Sequence, residues 1–321
     1  MPVLTKYTQD VTNIFELIGS NEDDLTASLG WCLTKCPEFL KEFAEHFNMA
    51  SLVDATSINL QVIDKAGRTD IEIWAPAQAV AIIEAKVGFT LPTLDQLCRY
   101  AERENFQSDP AKTKAIIVIS DYEAKVARKL TDTPSSISGI NVQYLAWREI
   151  IPLIVMAAKS SNTAQKRLLN QFIDYLETHV TTKNINSNEV WITSLSTKEF
   201  GNHGLTFTDY VEKERTYFHP IRKGYPSTPP NYIAFRYYGQ LQSIHHVSSY
   251  ITVSHLNDAY AKLLDDTDED PHFIYSLGAP ITPSRIIKTG GLFGSGRHWA
   301  AIDLLLTSET VRDAVEATKM R

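Results

Sequence analysis

An apolar run, Ala79-Val-Ala-Ile-Ile83, leads without a break into Glu84-Ala-Lys86. The run reads as a strand, and on a strand residues two apart share a face, so Glu84 and Lys86 point the same way. Just upstream, Gly67-Arg-Thr-Asp70-Ile-Glu-Ile73 reads as a second, shorter strand with an acid at its edge. Charges inside such apolar segments are costly to bury unless a metal, a partner or a function compensates them. Any fold of this chain must bring these two segments to a place where the charges are answered.

The chain has 321 residues, of which 43% are hydrophobic and 21% charged, the profile of a globular protein with room for one large domain or two ordinary ones. No apolar run reaches the ~18–20 residues that cross a bilayer, and the first residues, Met1 to Asp10, lack a secretory pattern. Three scattered thiols, Cys32, Cys36 and Cys98, predict a reducing, cytoplasmic setting, with Cys32 and Cys36 as buried core residues at i and i+4. The net charge of −7 gives no support to a nucleic-acid partner from the chain as a whole. It leaves room for a local basic patch: Lys65, Arg68, Lys86, Arg99, Arg103, Lys112 and Lys114 gather in sequence around the two segments.

Periodicity predicts helix over residues 11–48, opened at Ser20-Asn21 ahead of Asp23 and Asp24 and interrupted at Pro37. Three strands follow, Ser57–Ile63, Asp70–Trp74 and Ala79–Val87, separated by short turns as in an antiparallel meander. Thr93 to Asn105 reads as one helix, Lys114–Ser120 and Asn141–Leu145 as strands, and Trp147–Ala158 and Gln165–Val180 as amphipathic helices. A polar linker near 181–190 marks a boundary between residues 1–182 and 190–321. Beyond it, strand-like runs at Asn231–Tyr238, Gln240–Val253, His272–Leu277, Ile281–Ile287 and His298–Leu306, with a helix after Thr307, predict a smaller β-rich domain, a partly closed barrel in our reading. Asp265–Asp270 reads as a solvated loop and Gly290–Gly296 as a glycine-rich hairpin turn, since Arg297-His298 replace the Lys-Ser/Thr of a phosphate loop. His245, His246 and His255 have no ligand-spaced partners, and Phe235, Arg236, Tyr237, Tyr238 and Tyr250 are assigned mostly to the core, with base stacking as the alternative.

The spacing of Asp70 and Glu84-x-Lys86, in the order helix, three strands, helix, strand, resembles the PD-(D/E)XK nuclease superfamily. Gln96-Leu-Cys-Arg-Tyr100 on the next helix is similar to the QxxxY motif of its RecB-like branch. Thr69 stands where the superfamily's name has Pro, a position that varies widely. The resemblance covers roughly residues 15–150 and implies an α/β, restriction-endonuclease-like core with the β-rich domain as an accessory. It implies a Mg²⁺-dependent deoxyribonuclease, Mn²⁺ substituting, in a microbial defence or restriction-like role, and two subunits for double-strand cutting. Asp70, Glu84 and the Ala85 carbonyl are the expected metal ligands. Lys86 would orient the attacking water, stabilise its hydroxide form or balance phosphate charge. Gln96 contacts the site or caps its helix; Tyr100 supports the site or is structural. Glu72 is an outer carboxylate or faces solvent, and Glu22 completes the metal environment or answers helix electrostatics. The alternative for the whole is a catalytically silent, nuclease-like nucleic-acid-binding or regulatory module; hydrolysis of RNA or a small nucleotide is a third.

Overall fold

The computed structural model describes residues 3–6, 9–131, 133–179, 187–199, 204–260, 270–292 and 297–321. The chain forms two compact units, Met1–Thr182 and Lys183–Arg321, each mixed α/β with its own six-stranded sheet. Among the described residues, no helix is long and apolar enough to cross a membrane.

In the first unit, α1 (Glu22–Lys35) opens on Asn21, whose side chain accepts from the Asp24 amide while the Asp24 carboxylate accepts from the Asn21 amide. Glu22, Asp23 and Asp24 crowd its first turn, where negative charge is favoured. Pro37 ends it and starts α2 (Pro37–His46) at a position needing no N–H. The sheet is built from β1 (Ser57–Leu60), β2 (Ile71–Ala75), β3 (Ala79–Ala85), β4 (Thr113–Ser120), β5 (Ser136–Ile137) and β6 (Ile140–Ala146), in spatial order β1-β2-β3-β4-β6-β5. The first three strands are antiparallel neighbours; β3, β4 and β6 run parallel. The parallel crossovers carry α3 (Leu94–Ala101), α4 (Glu104–Ser108) and α5 (Ala124–Leu130), as parallel pairing requires. Two long helices follow, α6 (Trp147–Ser160) and α7 (Thr163–His179).

Strand parity divides the sheet into two faces. Ile71, Ile73, Ala79, Ala81, Ile83, Ala85, Ala115, Ile117 and Ile119 belong to one core shared with α1, α2, α6 and α7. Asp70, Glu72, Val80, Ile82 and Glu84 have the opposite parity and so lie on the other face. Every residue of β3 is buried, which accounts for its uninterrupted apolar character.

Three local expectations for this unit need correction. The strand from Ser57 ends at Leu60, because Gln61 adopts φ 52°; Ile63–Asp64 then pairs with Gly67–Arg68 in a separate small ribbon. The helix foreseen over Thr93 to Asn105 is two, broken where Arg103 takes an extended backbone (φ −57°, ψ 130°). The 11–48 stretch begins with a 3₁₀ turn, Ile14–Leu17, capped by Asn13.

The second unit pairs β7 (Glu189–Ser194), β8 (Thr216–Pro220), β9 (Tyr232–Tyr237), β10 (Gln240–Val253), β11 (His272–Ile281) and β12 (His298–Ala301) in the order β8-β11-β10-β9-β7-β12. This is an open sheet with β8 and β12 at its edges, not a partly closed barrel. Helices α8 (Phe207–Glu212), α9 (Ile302–Thr307) and α10 (Val311–Lys319) accompany it, and Leu305, Val311, Ala314 and Val315 pack on Val190, Ile192 and Ala234. Of the run Ile281–Ile287 only Ile281 is strand, as the last residue of β11; Pro283 beyond it removes an N–H that a ladder needs, and His298–Leu306 turns helical at Ile302. Most of the linker near 181–190, residues 265–269 of the acidic run and residues 293–296 of the glycine-rich segment lie outside the described residues.

Candidate functional site

The β2–β3 ladder runs out at the pair Ile71–Ile83. One step further, Asp70 and Glu84 come opposite each other, where the Asp70 side chain folds over the strand end and its Oδ2 accepts from the Ala85 amide at 2.7 Å. Asp70 is 3% exposed and Glu84 2%, so two carboxylates are nearly withdrawn from water at one sheet end. Lys86, the first residue past β3, is pinned through its backbone: its amide donates to Ile119 O at 2.8 Å, and its carbonyl accepts from the Trp147 indole at 2.9 Å. Its ammonium donates to Glu84 Oε1 at 2.6 Å, Glu22 Oε1 at 3.0 Å and Ala85 O at 3.1 Å. Glu22 arrives from the first turn of α1, and its second oxygen accepts from the Val87 amide at 3.1 Å.

Helix α3 holds Glu84 from the other side. Gln96 and Tyr100 are four apart on one helix face. Gln96 Nε2 donates to Glu84 Oε1 at 2.7 Å, and the Tyr100 hydroxyl lies 2.9 Å from Glu84 Oε2 and 2.5 Å from Arg68 O. The cap of α3 is Thr93, whose side chain accepts from the Gln96 amide, so Gln96's own side chain reaches the site while its backbone completes the helix start.

Glu72 is not drawn into this cluster. Its Oε1 accepts from Thr69 at 2.9 Å and from Arg103 at 2.5 Å, and its Oε2 accepts from the Trp74 indole at 3.0 Å. Arg103, only 4% exposed, also donates to Asp64 Oδ2 at 2.6 Å and to the carbonyls of Val62 and Gly67, both at 3.1 Å. The guanidinium thus ties the small ribbon to β2 directly beside Asp70. In the sequence Arg103 is only one of the bases gathered around the two segments, although its position seven after Gln96, continuing the Gln96–Tyr100 face, is a signal for this contact. Trp147, in the sequence only the first residue of an amphipathic helix, carries no local signal for its bond to Lys86.

The electrostatics follow from two carboxylates, Glu84 and Glu22, bonded to one ammonium, with the buried Asp70 carboxyl beside Glu84. Burial, then repulsion from Glu84, pushes the Asp70 carboxyl up to about 7, against the pull of the Ala85 amide and Lys86. Burial opposes the Lys86 charge, but hydrogen bonds and attraction from Glu84 and Glu22 outweigh it and raise the ammonium above its ordinary value. Burial likewise raises the Tyr100 phenol, which therefore stays a proton donor at neutral pH. Nearby, past the end of β4, burial pushes the Asp121 carboxyl up to about 7, and its Oδ1 has no hydrogen-bond partner.

Among the described residues, no group of three His, Cys, Asp or Glu side chains converges as a metal cage. A hard divalent ion such as Mg²⁺ does not need one: it takes one or two carboxylates and fills its shell with water and substrate oxygens. The donors here suit such an ion chemically. Asp70, Glu84 and the Ala85 carbonyl all offer oxygen atoms, and the Lys86 ammonium, sitting on Glu84, Glu22 and Ala85, marks a point where oxygens converge on positive charge. A scan of protein-family models and searches of curated proteins and of solved structures return no match to this chain.

Proposed function

We propose that this chain is a divalent-metal-dependent nuclease of the PD-(D/E)XK kind, hydrolysing phosphodiester bonds in DNA, with a restriction-endonuclease-like core in its first unit. One observation carries the reading: Asp70 and Glu84 face each other at the end of adjacent strands, with Lys86 on the Glu84 face and Gln96 and Tyr100 gripping Glu84. Asp70, Glu84 and the Ala85 carbonyl would hold the ion, with Glu22 alongside. Bound there, Mg²⁺ supplies Lewis-acid neutralisation of the phosphoryl oxygens and a more acidic water.

The protein's own residues do the remainder. Gln96 and Tyr100 fix the rotamer of Glu84, and the Ala85 amide fixes Asp70, so neither of these two carboxylates has to reorganise as charge develops. Lys86 keeps its proton, because two carboxylates stabilise it. It therefore serves as a donor that positions water or balances phosphate charge, not as a proton acceptor. Trp147 and the Ile119 carbonyl clamp its backbone, setting where that donor points.

Supercoiled plasmid with Mg²⁺ or Mn²⁺ tests the reading. Wild type cleaves, and Lys86→Ala and Glu84→Gln each lose roughly 10²–10³-fold, the usual cost of removing a group aimed at developing charge. Equal cleavage by wild type and both variants removes the assignment. A second reading, a catalytically silent nucleic-acid-binding module, draws on Lys86 itself, whose ammonium already occupies the Glu84, Glu22 and Ala85 oxygens. DNA binding retained with no saturable Mn²⁺ uptake would favour it.

A further inference from the structure

Strand β10 departs from regular pairing twice within a few residues. Between the pairs Arg236–Leu241 and Phe235–Ser243 it has one residue more than β9, Gln242. Between His245–Pro280 and Val247–Leu277 it is β11 that has one residue more, in the stretch Gly278-Ala279. Such bulges re-aim side chains, release backbone groups from the ladder and gather beside active sites. Here the Gly278 carbonyl lies 2.9 Å from His245 Nδ1, and the Ser243 hydroxyl lies 3.0 Å from His245 Nε2. A carbonyl only accepts, so Nδ1 carries the proton of the neutral ring. Nε2 is then bare, and the Ser243 O–H donates to it. The imidazole is 3% exposed and packs on Phe235, ring centroids 5.6 Å apart, which holds it in that orientation. Burial, helped by the Arg215 charge and opposed by Gly278, keeps it below its ordinary 6.5, so the ring is neutral at pH 7.

A serine hydroxyl becomes a useful nucleophile when a base within hydrogen-bond reach takes its proton and a third group fixes the tautomer of that base. Ser243, His245 and Gly278 supply the three in line, with a backbone carbonyl in the place that a carboxylate often takes. Ser243 and His245 line a cavity of about 250 Å³, so the hydroxyl faces open space where a reacting carbonyl can sit. The exposed Arg215 stands on the same wall, a guanidinium available to an oxyanion. Its backbone takes the left-handed φ of 51°, an outlier of the kind that clusters at active sites, and its carbonyl accepts from the Leu277 amide at 2.8 Å. Val211 and Pro280 give the cavity an apolar side. Its volume falls below the ~300–1,000 Å³ of drug-sized ligand sites, which suits a short acyl chain.

We propose that Ser243 and His245 form a second catalytic site, which hydrolyses esters of short carboxylic acids. Ser243 Oγ attacks the ester carbonyl carbon while His245 Nε2 takes its proton, and the carbonyl electron pair moves onto an oxyanion facing Arg215. Collapse breaks the bond to the alcohol, which leaves with the proton from Nε2. Water then gives a proton to Nε2 and attacks the acyl group; the carboxylic acid departs and Oγ regains its proton. The site belongs to the second unit alone and stands without the nuclease reading of the first.

Two measurements on the full chain in EDTA, which removes divalent ions, test it. The first is labelling with a fluorophosphonate, which phosphonylates activated serines with loss of fluoride, followed by peptide mass spectrometry. One adduct, on Ser243, is expected; because it is mapped on the wild-type chain, no variant has to fold. The second is hydrolysis of p-nitrophenyl acetate and butyrate. Ser243→Ala should lower the rate at least about 10²-fold, the lower end of what a positioned nucleophile and base contribute. Arg215→Gln, at an exposed position, should lower kcat about tenfold or more with KM little changed. The wild-type rate, after subtraction of buffer hydrolysis, should stay level from pH 7 to pH 9 and fall only below about pH 6.5, where the imidazole begins to charge. An adduct absent or only on other residues, no ester hydrolysis above buffer, or a Ser243→Ala chain as active as wild type would each overturn the proposal.

Discussion

Asp70 is ionised only at a cost. Its carboxyl, buried and facing Glu84, titrates at about 7, whereas an unfolded chain lets it ionise near its ordinary 3.8. Its contribution to stability is therefore full below pH 3.8 and lost as pH rises through 7, a difference of up to about 4 kcal/mol. Asp70→Asn, which keeps an acceptor for the Ala85 amide, should raise the melting temperature of the metal-free protein at pH 8 and leave it nearly unchanged at pH 4. Melting curves at the two pH values check this; stabilisation of equal size at both would contradict it. Tyr100→Phe should cost about 1–2 kcal/mol in chemical denaturation, because Arg68 O and Glu84 Oε2 share the one hydroxyl proton it removes. Much at this scale was legible in the sequence. Asp70, Glu84 and Lys86 stand out because charge interrupts apolar strands, and Gln96 and Tyr100 because they repeat at helical spacing. Glu22 was separable from plain helix-start electrostatics only through resemblance, since its bond to Lys86 spans 64 positions that no local pattern reports.

At the scale of elements, the break between α3 and α4 lets one face do two tasks. Gln96 and Tyr100 hold Glu84, and the turn at Arg103 carries a guanidinium into Glu72, Asp64 and two carbonyls. Arg103→Ala would strand the buried Glu72 carboxylate, so equilibrium unfolding should show a loss of about 3–5 kcal/mol. Adding Glu72→Gln should recover much of that, because an amide is far less costly to leave unpaired by charge. A double variant no more stable than Arg103→Ala alone would show that the ion pair is not what holds the ribbon. The sequence shows why these details were hidden. The Thr93–Asn105 periodicity continues through Arg103, whereas the backbone turns there to satisfy acids from two other elements. Likewise, Gln61 looks like any strand residue, and its left-handed backbone is set by tertiary context. Strand parity, by contrast, follows from local alternation, which is why the face bearing Asp70 and Glu84 was readable in advance.

Across the whole molecule the two units should answer acid in opposite directions. In the first, Asp70 and Asp121 both titrate at about 7, so acidification from pH 8 toward pH 5 relieves buried charge and favours folding. In the second, burial lowers His219 to about 3. Its Nδ1 donates to Pro220 O and its Nε2 accepts from the Tyr275 hydroxyl, a tautomer that protonation would destroy. With an ordinary value of 6.5 when unfolded, His219 stabilises fully above pH 6.5 and loses about 2 kcal/mol by pH 5. Calorimetry should resolve two transitions that move apart or together between pH 8 and pH 5, with Asp70→Asn displacing only the first unit's; a common shift in one direction would refute the opposition. The β-rich character of the second unit was legible from its aromatic and β-branched runs, but its open sheet and its cavity depend on strand order, which alternation does not encode. Mn²⁺ titration followed by electron paramagnetic resonance tests most directly whether Asp70 and Glu84, beside the Lys86 ammonium, form a divalent-ion site. Saturable Mn²⁺ binding by the wild-type chain, weakened at least about tenfold by Glu84→Gln and by acidification below pH 7, is the predicted result. Absence of saturable binding, or binding that Glu84→Gln leaves unchanged, would contradict it.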